Sequence, residues 1–342
     1  MKSPRPDQRG DETTWRLPPY SVEATFVTLS ETVDWGLSNF GIPDQWRDTR
    51  GGGVRVAVID TGIEASHPDL ADSIDDARDF SGSPFGSEDH VGHGTHVAGT
   101  IAARQNDQGV VGVAPECRLL VAKVLGDDGS GSGSSVADGI DWACEAGADV
   151  LSMSLGSPVP DRAIRAAIQR AVTAGKFVVC AAGNEGRPDS VNFPARWPET
   201  LAIGAVDRHG RVARLSSRGE EVDVCAPGQD VLSTYLDGGY AKLSGTSMAT
   251  PFVSGVVALL IAKHRQQGGG TPIATQQELV DHLRRTAIDA GPQGKDPNYG
   301  YGLIDPRSVL AIDAGESDDE APFEIGPVRV NGVEGVFVFM PR

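Results

Sequence analysis

Three glycine-flanked motifs carry a carboxylate, an imidazole and a hydroxyl in the order Asp, His, Ser. Asp60 lies in AVIDTG, directly after an apolar, β-branched run. His93 opens HGTHVAG, and Ser247 lies in GTSMATP, where a turn of small residues runs into a helical pattern. A serine hydroxyl is a weak nucleophile that needs a base within hydrogen-bond reach. A neutral imidazole can take its proton near pH 7. A buried carboxylate can fix the tautomer of that imidazole and stabilise its charged form. Singly, an Asp after a strand serves a turn and a Ser at a helix start serves as an N-cap. Together the three point to acyl transfer. A fourth motif, CAAGNEG, places Asn184 after another apolar run. Its amide could stabilise negative charge on a carbonyl oxygen.

Such groups converge when they stand at the carboxyl ends of parallel strands. Runs expected to be buried strands are Val54 to Asp60, Leu119 to Leu125, Ala148 to Leu155, Lys176 to Ala182 and Thr200 to Val206. Helical patterns alternate with them. One begins at His96, and one follows a Gly/Ser loop with Ser134 or Ser135 as N-cap. Another runs from Asp161 to Gly175, and the last starts near Ser247. The alternation predicts an α/β protein, a parallel β-sheet flanked by helices on both faces. A short strand is expected over Ala24 to Leu29 and a helix near Pro43 to Arg47. Residues 1–20 are polar and proline-rich and are expected to be mobile. Beyond an acidic break at Gly315 to Glu320, the last residues read as a C-terminal β-hairpin with Asn331-Gly332 as its turn. The expected organisation is an extension over 1–42, a main domain over 43–314, and linker plus hairpin over 315–342.

Composition narrows the function. The chain has 342 residues, 30 Lys plus Arg and 47 Asp plus Glu, for a net charge of −17. That acid excess argues against nucleic acid, whose phosphates demand basic patches. No run of about 20 apolar residues is evident, so no membrane span is expected. The polar opening MKSPRPDQRGDETTWRLPPY predicts no secretory signal and a cytoplasmic location. Cys117, Cys144, Cys180 and Cys225 are widely spaced and read as reduced thiols. His96 and His67 read as packed histidines, since no third metal ligand accompanies the His93/His96 pair.

The motifs around Asp60, His93, Asn184 and Ser247 resemble those of the subtilases, the subtilisin-like serine peptidases, over about residues 43 to 312. The resemblance implies a subtilisin-like three-layer fold and a serine endopeptidase. Asp60 would orient the imidazole, His93 would act as base and acid, Ser247 would attack, and Asn184 with the Ser247 N–H would hold the oxyanion. It implies that substrate binds as an added strand between two edges, Gly129, Ser130 and Gly131 on one side and Ser154, Leu155 and Gly156 on the other. Ala181, Ala182 and Gly183 would wall the first specificity pocket. Asn192 falls there where many relatives have Gly, with Glu185 near the mouth, which implies a shallower or more polar pocket. After GTSMATP the family usually has His, and here Phe252 stands.

The resemblance also implies a structural Ca²⁺ in the RQNDQGV loop. Its ligands would be Asp69, the Asn106 side chain, and the carbonyls of Arg104, Gln108 and Val110. All are oxygens, which suit calcium. WRLPPY resembles the inhibitory extension of intracellular subtilases, so the chain's own N-terminal segment is an expected intramolecular inhibitor beside protein or peptide substrates. A homodimer is compatible with the family. Two alternatives are a processing peptidase dedicated to one peptide and a non-catalytic peptide-binding module on the same fold.

Overall fold

The computed structural model describes residues 14–27, 30–268 and 273–311, with two short strands at 328–330 and 333–335. The chain divides into two units, one ending at Leu310 and one beginning at Ala311. In the first, strands β1 (Thr14–Arg16) and β2 (Ser21–Phe26) precede short helices α1 (Trp35–Asn39) and α2 (Ile42–Gln45). Strand β3 (Arg55–Asp60) is followed by β4 (Ile74–Asp79), α3 (His93–Ala102), β5 (Arg118–Lys123), β6 (Ser130–Ser132) and α4 (Gly133–Glu145). Then come β7 (Val150–Met153), α5 (Arg162–Thr173), β8 (Phe177–Ala181), β9 (Leu201–Val206), β10 (Val224–Pro227), β11 (Val231–Thr234) and β12 (Tyr240–Ser244). Helices α6 (Thr246–Gln266), α7 (Gln276–Thr286) and α8 (Pro306–Leu310) complete this unit.

Seven strands form one sheet in the order β10-β9-β8-β7-β3-β5-β4, with every neighbouring pair parallel. Its inner strands are largely apolar because both faces are covered, while β4 at the edge is polar and partly exposed. Alternation along β7 shows the two sides. Leu151 and Met153 join a core cluster with Val136, Ile140, Ile164 and Ile168 of α4 and α5. Ser152 faces the other way and accepts a hydrogen bond from Ser254 of α6 at 3.0 Å. The result is a helix–sheet–helix sandwich of the α/β class. The chain leaves β3 toward β5 and β4 and later builds β7 to β10 on the other side. The switch of direction therefore falls at β3, whose carboxyl end is Asp60.

Several expectations need correction. Residues 14–16 are a paired strand rather than mobile chain. Strand β2 starts at Ser21 and pairs with β12. Helix α4 is capped by Ser132, whose hydroxyl accepts the Ser135 N–H, not by Ser134 or Ser135. Helix α3 begins at His93 itself. Helix α6 has 21 residues and a mean hydropathy of 1.4 over 18 of them, so it is long and apolar enough to cross a membrane. It is instead the core helix, 94% buried over that window. All four cysteines are free thiols. In the second unit, β13 (Val328–Val330) and β14 (Val333–Gly335) pair antiparallel as the hairpin reading expects, and the Asn331-Gly332 turn lies outside the described residues.

Candidate active site

Asp60 ends β3 with its carboxylate wholly buried, and Oδ1 accepts from His93 Nδ1 at 2.8 Å and from the Thr61 N–H at 2.8 Å. His93 begins α3, so its approach to Asp60 depends on how that helix starts. Gly92 supplies the turn at φ +87°, and a Cβ there would lie 2.4 Å from the Tyr235 ring. Only glycine serves such a position without strain. Asp89 then ties the turn together. Its oxygens accept from the N–H groups of Val91, Gly92 and Thr95 and from the hydroxyls of Thr61 and Thr95. Thr61 Oγ1 in turn accepts the Gly94 N–H at 2.9 Å. The Asp60 turn and the His93 helix are thus joined by a second, buried network.

The outer nitrogen of His93, Nε2, is buried and has no hydrogen-bond partner among the described residues. Ser247 lies in the first turn of α6, where backbone N–H groups have no partner inside the helix. Its hydroxyl donates to the Ser154 carbonyl at 3.3 Å, with no hydrogen bond to His93, while the Ser154 hydroxyl donates to the Ser247 carbonyl at 2.9 Å. Side-chain rotation about one bond would turn Ser247 Oγ elsewhere, and such contacts are often loose before substrate binds.

Asn184 follows β8 after Gly183, which sits at φ +115°. The carboxamide oxygen accepts both the Thr246 N–H, at 2.8 Å, and the Thr246 hydroxyl, at 2.9 Å. A backbone N–H can only donate, so this fixes which end of the amide faces Thr246. Nδ2 is left buried and unpartnered among the described residues. A Cβ placed on Gly245 would lie 3.0 Å from Asn184 Nδ2 and 3.6 Å from the Ser247 nitrogen, so both donors border one spot. The arrangement offers a hydroxyl, a buried imidazole oriented by a carboxylate, and two N–H donors.

The expected substrate edges do flank a strand, and it is the chain's own. Strand β1 pairs antiparallel with β6, matching Trp15 with Gly131 and Arg16 with Ser130. The Leu17 N–H donates to the Gly129 carbonyl at 3.2 Å. On the other side Arg16 and Gly156 exchange N–H to carbonyl bonds of 3.4 and 3.1 Å. Trp15 is fully buried in the cluster containing Leu125, Val136 and Leu155. Leu155 therefore faces the core, and Ser154 bonds to Ser247; among 154–156 the backbone hydrogen bonds to the added strand are those of Gly156. Pro18 is buried, and the Tyr20 ring lies 4.9 Å from the His93 ring, centroid to centroid. Burial, then the nearby Tyr235 and Asp60, push the Tyr20 phenol well above its usual range, so it is neutral.

Ala182 and Gly183 are buried at the end of β8, and the Ala182 carbonyl accepts the Asn192 N–H at 2.8 Å. His96 is fully buried with Nε2 donating to the Val231 and Ala241 carbonyls. Burial lowers its pKa to about 3, which keeps it a neutral packing residue. His67 likewise bonds the Gly239 carbonyl. Phe252 packs edge-on against Phe40, away from the hydroxyl chemistry.

Of the calcium ligands proposed from sequence, Arg104, Asn106, Gln108 and Val110 share one loop, and Asp69 is hydrogen-bonded to it. Asp69 is fully buried, and its carboxylate accepts from the Val110 N–H at 2.9 Å and from Asn106 Nδ2 at 3.1 Å. The Arg104 N–H donates to the Asp69 carbonyl. Among the described residues no group of three or more His, Cys, Asp or Glu could hold a metal ion, so a cation here would rest on the one Asp69 carboxylate with amide and carbonyl oxygens. The donor set fits calcium in kind. It requires the Asn106 carboxamide to turn over, since its nitrogen now faces Asp69.

Sequence reasoning passed over Thr246, Asp89 and Lys123. The Lys123 side chain is wholly buried, donating from Nζ to the Thr61 carbonyl at 2.6 Å and to Asp127 at 2.9 Å. Burial raises the Asp127 carboxyl, but bonds from Lys123 and Ser83 outweigh it and hold the group below its usual range. Lys123 thereby links the Asp60 turn to the loop carrying Gly129 to Gly131. Its only sequence signal was a charge inside an otherwise apolar strand.

A parallel sheet with helices on both faces, a buried Asp–His pair joining the end of β3 to the start of α3, and a Ser in the first turn of α6 define a subtilisin-like α/β architecture. Residues 51–302 match the model of the subtilase family. The chain is 42% identical over 295 residues to an intracellular serine protease of Paenibacillus polymyxa, spanning 84% of this chain and 89% of that protein. It is 43% identical over 281 residues to subtilisin Savinase of Lederbergia lenta, spanning 82% and 99% of the two chains. It is 39% identical over 281 residues to the major intracellular serine protease of Bacillus subtilis, spanning 79% and 88%. The chain belongs to the subtilase family, and its class is serine endopeptidase.

Proposed function

We propose that this protein cleaves peptide bonds with Ser247 as nucleophile, His93 as general base and then acid, and Asp60 as the group that orients the imidazole. The observation that carries the reading is the buried 2.8 Å contact between Asp60 Oδ1 and His93 Nδ1, which leaves His93 Nε2 without a partner. With Nδ1–H directed at Asp60, Nε2 is the basic nitrogen. Ser247 Oγ attacks the carbonyl carbon as His93 takes its proton. The oxyanion is held by Asn184 Nδ2 and the Ser247 N–H. The imidazolium then protonates the leaving amine, and water repeats the sequence on the acyl-enzyme. A fluorophosphonate probe tests this: it should label the wild-type chain and fail to label Ser247→Ala. Labelling of Ser247→Ala at the same site would sink the assignment.

The segment Trp15 to Tyr20 is proposed to act as an intramolecular inhibitor. Support comes from its backbone bonds to both cleft edges and from Tyr20 against His93. Pro18 and Pro19 have no N–H and fixed φ, which keeps a scissile carbonyl from settling between Ser247 and Asn184. A calcium ion held by Asp69, Asn106 and the carbonyls of Arg104, Gln108 and Val110 is proposed to brace the loop over 104–110. A cytoplasmic location is proposed because two of the relatives are named intracellular.

A further inference from the structure

The turn that carries Asp60 is held from behind by a buried cation. Lys123 is the only lysine or arginine that is buried among the described residues. It ends β5 directly opposite Asp60, which ends β3, in their parallel register. The Asp60 carbonyl accepts the N–H groups of Val124 and Leu125, at 2.9 and 3.1 Å. Lys123 Nζ reaches the next carbonyl, that of Thr61, at 2.6 Å. Thr61 is thereby held at each of its polar groups. Its N–H donates to Asp60 Oδ1, its hydroxyl donates to Asp89 and accepts the Gly94 N–H, and its carbonyl accepts from Lys123. The residue after it presses on the His93 helix, since a Cβ on Gly94 would collide with the Gly62 carbonyl. A lysine taken out of water is costly unless it is paired. Its partner is Asp127, whose Oδ1 accepts from Nζ at 2.9 Å and whose Oδ2 accepts the Ser83 hydroxyl at 2.9 Å. The Asp127 side chain is 29% exposed and that of Lys123 is not exposed at all. Water therefore screens the anion more than the cation, and the pair presents net positive charge to the Asp60 turn.

We infer that Lys123 is a positioning residue for the reaction: it fixes the Asp60 turn, and its buried charge keeps His93 in the unprotonated form that can act as a base. The inference rests on the serine-peptidase reading. A general base works only while it is unprotonated. The other charges that face His93 favour its protonated form. Asp60 is bonded to the ring, and Asp89 is buried at the start of the same helix. Glu64 and Glu88 add negative charge on the adjoining loops. Burial, then Glu64, raise the Glu88 carboxyl, and His90 and Lys123 oppose them, so the field of Lys123 is felt across this region. His96 on α3 is neutral, as are the phenols of Tyr20 and Tyr235, which burial raises. His90 is exposed and water screens it. Arg16 lies near Asp128 but belongs to the N-terminal strand and leaves the cleft with it. Of all these groups, Lys123 is the one permanent cation that stays beside the Asp–His pair.

The test uses the full-length chain, once its rate is steady, and follows kcat/KM for one peptide against pH. Activity is lost on the acid side as His93 is protonated, and the half-point of that limb reports the free enzyme. A normalised profile does not depend on how much enzyme is active. Lys123→Met keeps most of the stem and removes the charge, so the imidazolium is less opposed and the half-point should rise by about half a pH unit. Asp127→Asn leaves Lys123 without its counter-charge, so the half-point should fall. Lys123→Arg retains the charge and should keep the half-point near the wild-type value even where turnover drops. A packing defect alone would lower rates without driving two half-points in opposite directions. Should Lys123→Met fail to fold, the fall in Asp127→Asn decides. Half-points that stay in place in variants still labelled by a fluorophosphonate, or a rise in Asp127→Asn, would overturn the inference. Absence of both cleavage and labelling in the wild-type chain would instead overturn the peptidase reading beneath it.

Discussion

Asn184 can stabilise an oxyanion only if its carboxamide presents nitrogen to the cleft, and Thr246 decides that. The Thr246 N–H and hydroxyl both donate to the carboxamide oxygen, which leaves Nδ2 buried with no partner among the described residues. Asn184→Ala should therefore lower kcat by about 10²–10³ with little change in KM, a figure set for one such donor in subtilisin, a member of this family, and not obtained from this chain. Thr246→Val keeps the N–H and removes the hydroxyl bond, so its loss should be smaller, and pre-steady-state kinetics on an ester substrate would measure both. A raised KM with kcat unchanged in Asn184→Ala would assign it to uniform substrate binding instead. Asp60, His93, Asn184 and Ser247 were legible because each sits in a short motif with its own local context. Thr246 lies inside GTSMATP, yet its bond to Asn184 joins residues 62 apart, a pairing no local pattern encodes. Asp89 was hidden for the same reason: its work is done by five bonds that exist only once α3 and the Asp60 turn have met.

Among the elements, the buried strands and long helices were readable because covered parallel strands are continuously apolar. Strand β4 was not, since IDDARD is polar and partly exposed at the sheet edge. Strand β1 was not either, because three residues gain no signal from periodicity and are ordered by the cleft edges they join. Its position has a kinetic consequence. A tethered segment experiences a local concentration that can reach millimolar, so even weak docking fills the cleft. A chain beginning at Ser21 keeps β2 and its pairing with β12, and it should cleave peptide substrate without delay. The full-length chain should show a lag that ends as its N-terminus is trimmed. Trp15→Ala should shorten the lag, because a buried Trp truncated to Ala forfeits about 3–5 kcal/mol of packing. Progress curves paired with mass spectrometry of the N-terminus give the readout. Equal initial rates with Trp15 to Tyr20 intact would reject the inhibitory role.

At the scale of the whole molecule, the net charge of −17 makes any cation stabilising to some degree, because it relieves self-repulsion. That diffuse effect must be separated from binding at Asp69. Screening depends on ionic strength and hardly distinguishes one divalent ion from another. A site of carboxylate, amide and carbonyl oxygens behaves differently. It tolerates the long, irregular bonds of calcium and disfavours magnesium, which demands octahedral geometry and keeps its water. Binding to the folded state alone adds about 2.7 kcal/mol at a hundredfold excess over Kd, and saturates. The melting temperature should therefore rise by several degrees from EDTA to millimolar calcium, level off, and rise less in magnesium at equal ionic strength. Asn106→Ala should blunt the calcium-specific part, since it removes one oxygen ligand from a half-exposed position and leaves the Val110 N–H bond to Asp69 in place. Identical melting curves in calcium and magnesium would mean that only screening operates and that the loop over 104–110 holds no ion. A calcium-specific rise that Asn106→Ala leaves untouched would place the ion elsewhere on the protein.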